Sequence, residues 1–198
     1  MDNYRSQPTV AAESGFSLLE LLVAMTITLT VMVAASTLLA TSLRIRTREN
    51  ARSNALASAQ RAMNIMSREI GNAGYGLEDN GIIVADSGTQ SLRVRSNLNN
   101  NNSINDTDED VRFVFQTANA AIVRADNAGN AVVLATDITG LTFTYLTVSG
   151  GAATAATAER VRIDVRVDLP ASTQQPASVV RLLSEVALRN APNTLQQF

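Results

Sequence analysis

Apolar and polar positions change their pattern twice along the chain. From Leu21 to Leu43 no side chain is charged, and the run LLVAMTITLTVMVAASTLLATSL holds neither Gly nor Pro. About 23 such residues cross a hydrocarbon core of roughly 30 Å as a helix. A buried helix of a soluble protein is the competing reading, but the length of the charge-free stretch favours a span. Its Thr and Ser hydroxyls can bond carbonyls a turn back, which makes them tolerable in lipid. Beyond it, Leu56, Ala59, Met63, Met66 and Ile70 recur at spacings of three and four, one apolar stripe on a helix. Arg52, Arg61, Arg68 and Glu69 fall largely on other faces. A continuous helix from Phe16 to Ile70 would hold about 55 residues and run roughly 80 Å.

The helix is expected to stop at Gly71-Asn72-Ala73-Gly74-Tyr75-Gly76, where glycines permit left-handed backbone. After it the pattern becomes that of strands. Short β-rich runs cover Gly81–Ala85, Ser91–Arg95, Val111–Gln116, Ala121–Ala125 and Ala131–Leu134, with turn residues between. Leu141–Leu146 alternates, with Leu141, Phe143 and Tyr145 on one face. Val161–Asp168 alternates almost throughout, apolar on one face and charged on the other, as in a half-buried antiparallel strand. Val179–Arg189 reads as a last strand. Gly150–Ala158, rich in Ala, Thr and Gly, is expected to be mobile, and Ala171–Ala177 to be an exposed connection.

Composition narrows the function classes. There is no Cys and no His, so disulfides, zinc fingers, Cys nucleophiles and His general bases are all excluded. The 16 basic residues are all Arg and stand against 18 acidic ones, a net charge of -2 without the basic footprint that nucleic acid requires. Without Lys no Ser-Lys pair is possible, and no Gly-rich phosphate loop follows a strand. An Asp/Glu hydrolase built on Asp164, Asp168 and Glu159 is the catalytic alternative left. Arg162 and Arg166, interleaved with those aspartates, point instead to a salt-bridged, solvated strand face.

The N-terminus departs from a secretory signal, whose cleavage site follows its apolar region. Here the small residue Gly15 precedes the apolar run, so a cut there leaves the anchor on the mature chain. Glu20 breaks the apolar pattern, and a carboxylate at this depth is usually functional and paired. A Glu at headgroup level is the plainer alternative. The string Gly15-Phe16-Ser17-Leu18-Leu19-Glu20-Leu21-Leu22-Val23-Ala24 resembles the processing motif of type IV prepilins and type II secretion pseudopilins. That resemblance implies cleavage after Gly15 by a prepilin peptidase and N-methylation of Phe16. It also implies that Glu20 pairs with the N-terminal amine of a neighbouring subunit during assembly, two charges costly alone in lipid neutralising each other.

Some features depart from that pattern. Leaders in this family are commonly basic, whereas here Arg5 stands against Asp2 and Glu13. Arg44, Arg46 and Arg48 follow the span, which by the positive-inside rule alone would place the C-terminal side in the cytoplasm. The motif implies the reverse, because the peptidase acts at the cytoplasmic face. The mid-helix Pro of many major pilins is also missing. Met66–Ile70 with Ala73–Gly76 resembles the helix exit of PilW-type minor pilins, and Val186–Asn190 resembles the close of PilW-like and J-type pseudopilin heads.

One loop carries candidate ligands. In Asn97–Asp110, the residues Asn97, Asn99, Asn101, Ser103, Asn105 and Asp108 have the rough spacing of an oxygen-ligand calcium loop, with Asn102 at the sharp turn. Asp106, Asp108, Glu109 and Asp110 supply most of the charge, so affinity would be weak, and a solvated polar loop fits the same residues. Asn101-Asn102-Ser103 and Asn105-Asp106-Thr107 also match a glycosylation acceptor pattern. No other cofactor is indicated.

The expected architecture is α+β: a leader at 1–15, a transmembrane and assembly helix at 16–43, its amphipathic continuation at 44–70, and a β-rich periplasmic head at 71–198. The chain resembles most a PilW-type minor pilin, a non-enzymatic subunit with the J-class pseudopilin as close rival. Expected partners are other subunits, the prepilin peptidase and the bacterial inner membrane, spanned once before filament entry; an adhesive tip is compatible, though no residue nominates a ligand.

Overall fold

The structure, a computed structural model, describes residues 15–101, 103–169, 171 and 177–190. Two compact units divide the chain, Met1–Thr47 and Arg48–Phe198. The order of elements is α+β and pilin-like: one long helix, α1 (Leu18–Gly71), and then antiparallel strands β1 (Ser91–Arg95), β2 (Asp110–Gln116), β3 (Ala121–Asp126), β4 (Ala131–Ala135), β5 (Ile138–Leu146), β6 (Arg160–Leu169) and β7 (Ser178–Ala187).

Ser17 starts α1. Its Oγ accepts the Leu19 N–H at 3.3 Å, and its carbonyl accepts the Leu21 N–H at 3.0 Å, so two amides at the helix head are satisfied. The hydroxyls in the charge-free run bond backwards as expected. Thr28 donates to the Ala24 carbonyl, Thr30 to Thr26, Ser36 to Met32 and Thr41 to Thr37, at 2.8 to 2.9 Å. Every residue from Gly15 to Asn50 is exposed. By length and composition this is a helix fit to cross a membrane.

In the second unit the same helix turns amphipathic. Ala55, Ala59, Ala62, Met63, Met66 and Ile70 are buried, with Leu56 packed beside them, so the expected stripe is the core face and Ala55 and Ala62 widen it. Small Ala side chains let the sheets approach closely, and Met66 and Ile70 fill the space nearer the helix end. The helix stops at Gly71, and the chain folds back through Gly74 at φ 78° and Gly76 at φ 70°. Gly81 crosses this turn at contact distance. A Cβ on it would lie 2.1 Å from the Gly74 nitrogen and 2.3 Å from the Arg95 carbonyl oxygen. Close approach makes possible the hydrogen bonds Gly74 N–H to Arg95 O at 2.9 Å and Arg95 N–H to Gly81 O at 2.7 Å.

The head holds two sheets where a single one was expected. The first is a meander in the order β1-β2-β3-β4, the second a meander β5-β6-β7, all pairs antiparallel. The break falls at Asp137, whose φ of 60° turns the chain out of β4's line just before β5. Central strand β6 buries Val161, Ile163, Val165, Val167 and Leu169, the alternation read from the sequence. Together with Leu92, Phe113, Ile122, Leu141 and Phe143 they form one core with the α1 stripe.

Three expectations need correcting. Gly81–Ala85 is not a strand: Ile82 makes an isolated bridge to Val94, and Val84–Asp86 is a 3-10 turn. Gly81 bends the chain at φ 71°, so the β-rich composition that follows cannot extend into a ladder. Gly150–Ala158 is fastened rather than mobile. The buried Asn80 donates its amide to the carbonyls of Ala155 at 2.9 Å, Ala156 at 3.3 Å and Ala158 at 3.2 Å, and Thr154 and Thr157 cap each other. Asp164, read as lying on a solvated face, is only 6% exposed, because Arg181 folds over it and donates from Nε at 2.9 Å. Asp168 is exposed as expected. In the Ala171–Ala177 connection, residues 172–176 lie outside the described residues.

Candidate functional site

Two places carry the residues singled out by sequence. The first is the N-terminal segment. Gly15 and Phe16 precede the helix, Phe16 is 83% exposed, and Glu20 is exposed in the first turn of α1. A carboxylate there sits favourably at the positive end of the helix dipole. Among the described residues no contact accounts for glycine at position 15, since an added Cβ would meet nothing within 4 Å. Residues 1–14 of the leader lie outside the described residues.

The second place is the loop 97–110. Asn97 is 3% exposed at its foot, where its N–H bonds the Tyr75 carbonyl at 2.7 Å. The side-chain oxygens of the candidate ligands are turned onto the loop's own backbone. Asn97 Oδ1 and Asn99 Oδ1 accept the Asn101 N–H, Asn101 Oδ1 accepts that of Ser103 at 2.8 Å, and Ser103 Oγ accepts that of Asn105 at 3.2 Å. The amides of Asn99 and Asn101 converge on Asp106 Oδ2 at 2.6 and 3.0 Å. Asp108 instead receives Arg124 Nη2 at 2.8 Å. Asn102 lies outside the described residues, and among those described no three acidic side chains are grouped to hold a metal. Asn100, at φ 55°, takes the left-handed turn that Asn tolerates.

Charge pairs anchor this loop to the head. Asp110 opens β2 and receives Arg93 Nε and Arg95 Nε, each at 2.7 Å. Burial alone would push the Asp110 carboxyl up, but the hydrogen bonds from Arg93 and Arg95 outweigh it and hold the carboxyl below the usual carboxylate range. Arg124 on β3 is 15% exposed and donates Nε to Glu69 of α1 at 2.9 Å. Burial opposes its charge, and Glu69 and Asp108 more than offset that. Elsewhere, burial pushes the Tyr145 phenol up to about 12, while its hydroxyl donates to the Gly88 carbonyl at 3.0 Å.

Residues 159 and 164, the catalytic alternative, are engaged separately. Glu159 Oε2 accepts the Val148 N–H, and Asp164 is held by Arg181. Sequence reasoning counted Glu109 as loop charge without marking it as a site residue, yet it is 3% exposed with an unpartnered oxygen. The available signal was its place immediately before a strand that begins with a second acid, a position where one of two neighbours must face inward.

Compared with known families, residues 11–36 match the model described as the prokaryotic N-terminal methylation motif. Prepilin-like proteins, the type IV pilins and pseudopilins that a prepilin peptidase processes, carry this motif, and the chain is prepilin-like in that sense. The match holds Gly15, Phe16 and Glu20 and ends within the charge-free run. Neither the curated proteins nor the solved structures contain a match to the chain.

Proposed function

We propose that the chain is a minor pilin of a type IV pilus, most like the PilW type: a structural, non-catalytic subunit cut after Gly15 and methylated on Phe16. The observation that carries this reading is the methylation motif at residues 11–36, set at the head of a helix that is exposed throughout its apolar part. In this reading α1 anchors the precursor in the inner membrane with the head in the periplasm, and then enters a bundle of like helices. Glu20 there meets the free amine of a neighbour's first residue, two charges each costly to desolvate alone. The head docks on other subunits rather than on nucleic acid.

The close alternative is a J-class pseudopilin of type II secretion, whose heads share with the PilW-like ones the resemblance at Val186–Asn190. Intact mass of the membrane-extracted chain, with and without a prepilin peptidase, tests the shared part of both readings. Loss of Met1 to Gly15 plus one methyl is expected. An uncut chain beside a processed control prepilin would overturn the reading and leave a single-span anchored protein. Deleting the gene then separates the alternatives: lost piliation with intact secretion supports the minor pilin, and the converse supports the pseudopilin.

A further inference from the structure

Glu109 sits at the foot of the Asn-rich loop with 3% of its surface exposed. Its Oε1 accepts the Asn99 N–H at 3.2 Å, while Oε2 is buried without a hydrogen-bond partner. A buried carboxylate oxygen without a donor is strongly disfavoured unless something else meets it. Glu109 lines a cavity of about 20 Å³ together with Glu69, Asn72, Ser96 and Asp108, with Val94, Leu98 and Val111 forming its apolar walls. That volume takes one occupant of water size.

Charge favours an ion over a water molecule. Three carboxylates line this cavity, and Arg124, the guanidinium beside it, donates to Glu69 and Asp108 and not to Glu109. Asp164 Oδ1 is the other buried, unpartnered side-chain oxygen among the described residues, but its carboxylate already carries Arg181 and has Arg166 at 3.7 Å. Glu109 has no such cation. Among the described residues, the Asn72 amide and the Ser96 hydroxyl make no side-chain hydrogen bond either, and only Asp108 Oδ1 is engaged by Arg124.

We propose that this cavity is a binding site for a hard divalent cation of calcium's size, with Glu109 Oε2 as its anionic anchor. The Ser96 hydroxyl, the Asn72 amide oxygen and the second oxygen of Asp108 add to it an all-oxygen donor set, the kind calcium takes, with water to supply the rest of its roughly six to eight ligands. Three carboxylates stand against Arg124 and, 4.0 Å from Glu69, Arg68, which leaves the charge of Glu109 for the ion to balance. The site differs from the spacing-based loop site, whose Asn and Ser oxygens are turned onto backbone amides. It lies beneath the loop and ties its foot, at Ser96 and Glu109, to the end of α1 at Asn72. With only two carboxylates, Glu109 and Asp108, among the donors, affinity falls in the weak extracellular class, a Kd of about 10⁻⁴ to 10⁻³ M.

Full-length chain in detergent, dialysed against radioactive calcium ions, should take up one ion per chain with half-saturation in about that range. Its thermal unfolding midpoint should be higher in about 5 mM calcium than in chelator, as binding to the native state requires. Glu109→Gln should lower affinity at least about tenfold, and its midpoint in chelator should match or exceed wild type, because an unpaired buried charge is gone. No uptake by wild type at millimolar calcium would overturn the proposal and leave a buried water. Unchanged uptake by Glu109→Gln would overturn it too, placing the ion elsewhere. Should Glu109→Gln fail to fold, Ser96→Ala serves as the second variant, with weakened uptake expected and wild-type uptake counting against the site.

Discussion

Residues 18–47 and 48–71 belong to one helix, yet their apolar side chains answer to different constraints. In the second stretch the large apolar side chains lie on a single stripe, and the buried ones belong to one core with residues of the two sheets. In the first stretch they lie on every side and all are exposed, Leu18 at 86% and Leu38 at 70%. A helix apolar all round is stable only where its surroundings are apolar too, in lipid or among other helices. The head therefore carries the reasons for its own sequence, whereas no contact among the described residues accounts for the glycine at position 15. Substitutions in the two regions should accordingly separate stability from processing.

The largest expected effect is all-or-none and leaves the head untouched. Gly15→Val should abolish cleavage by prepilin peptidase in a mass measurement, while the unfolding midpoint of the head stays at the wild-type value. Among the described residues nothing approaches a Cβ at position 15, so none of them gives a stability change a physical source. A shifted midpoint would break the comparison, because it would show the N-terminal segment supporting the head. Next comes the reciprocal case, Gly81→Ala. Its Cβ would fall inside backbone atoms of Gly74 and Arg95, and residue 81 has a φ of 71°, so the cost is about 3 kcal/mol or more. Denaturant unfolding should report that loss, and cleavage after Gly15 should proceed at the wild-type rate.

These cases also mark what the sequence reveals. The apolar run, the i, i+3, i+4 stripe and the β6 alternation are periodic signals over many residues, so α1 and the later strands were legible with errors of one to three residues at their ends. Gly81–Ala85 reads as a strand because its composition is β-rich, whereas its conformation follows from Gly81 crossing the turn at Gly74 and the Arg95 carbonyl. The division into two sheets depends on one positive φ at Asp137, for which alternation gives no sign. Of the candidate site, the processing motif is a contiguous string and can be read directly. Glu109 is different, since its orphan oxygen comes from the way β1, β2 and the end of α1 meet, and spacing within the loop does not contain that information.

A smaller effect should follow from Asn80→Ala. The Asn80 amide is the shared donor to three carbonyls of the 150–158 loop, and Asn80 Oδ1 also accepts the Ile82 N–H at 3.1 Å. Alanine leaves those groups without this partner, at a cost of about 2 kcal/mol. Hydrogen exchange should rise across the 150–158 loop and at Ile82, again with processing unchanged. Exchange that rose equally throughout the head would mean that the loop is held by the core and not by Asn80.

The smallest effect concerns acid. Asp110 has a folded pKa below its unfolded value of about 3.9, so it binds fewer protons folded than unfolded near that pH. Its stabilisation is therefore present above the unfolded pKa and is lost as pH falls through the folded value. Asp110→Asn should cost about 1 kcal/mol at pH 7, a modest sum because Arg93 and Arg95 are 28% and 31% exposed and remain partly hydrated without their partner. The gap to wild type should then begin to narrow below about pH 4 and close as the pH falls through the folded value, where Asp110 itself takes up a proton. Urea unfolding at stepped pH measures it. A gap that persisted at pH 2 would assign the loss to packing around residue 110 rather than to its charge, and the arginine pair would then be a consequence of how β1 and β2 meet, not one of the causes.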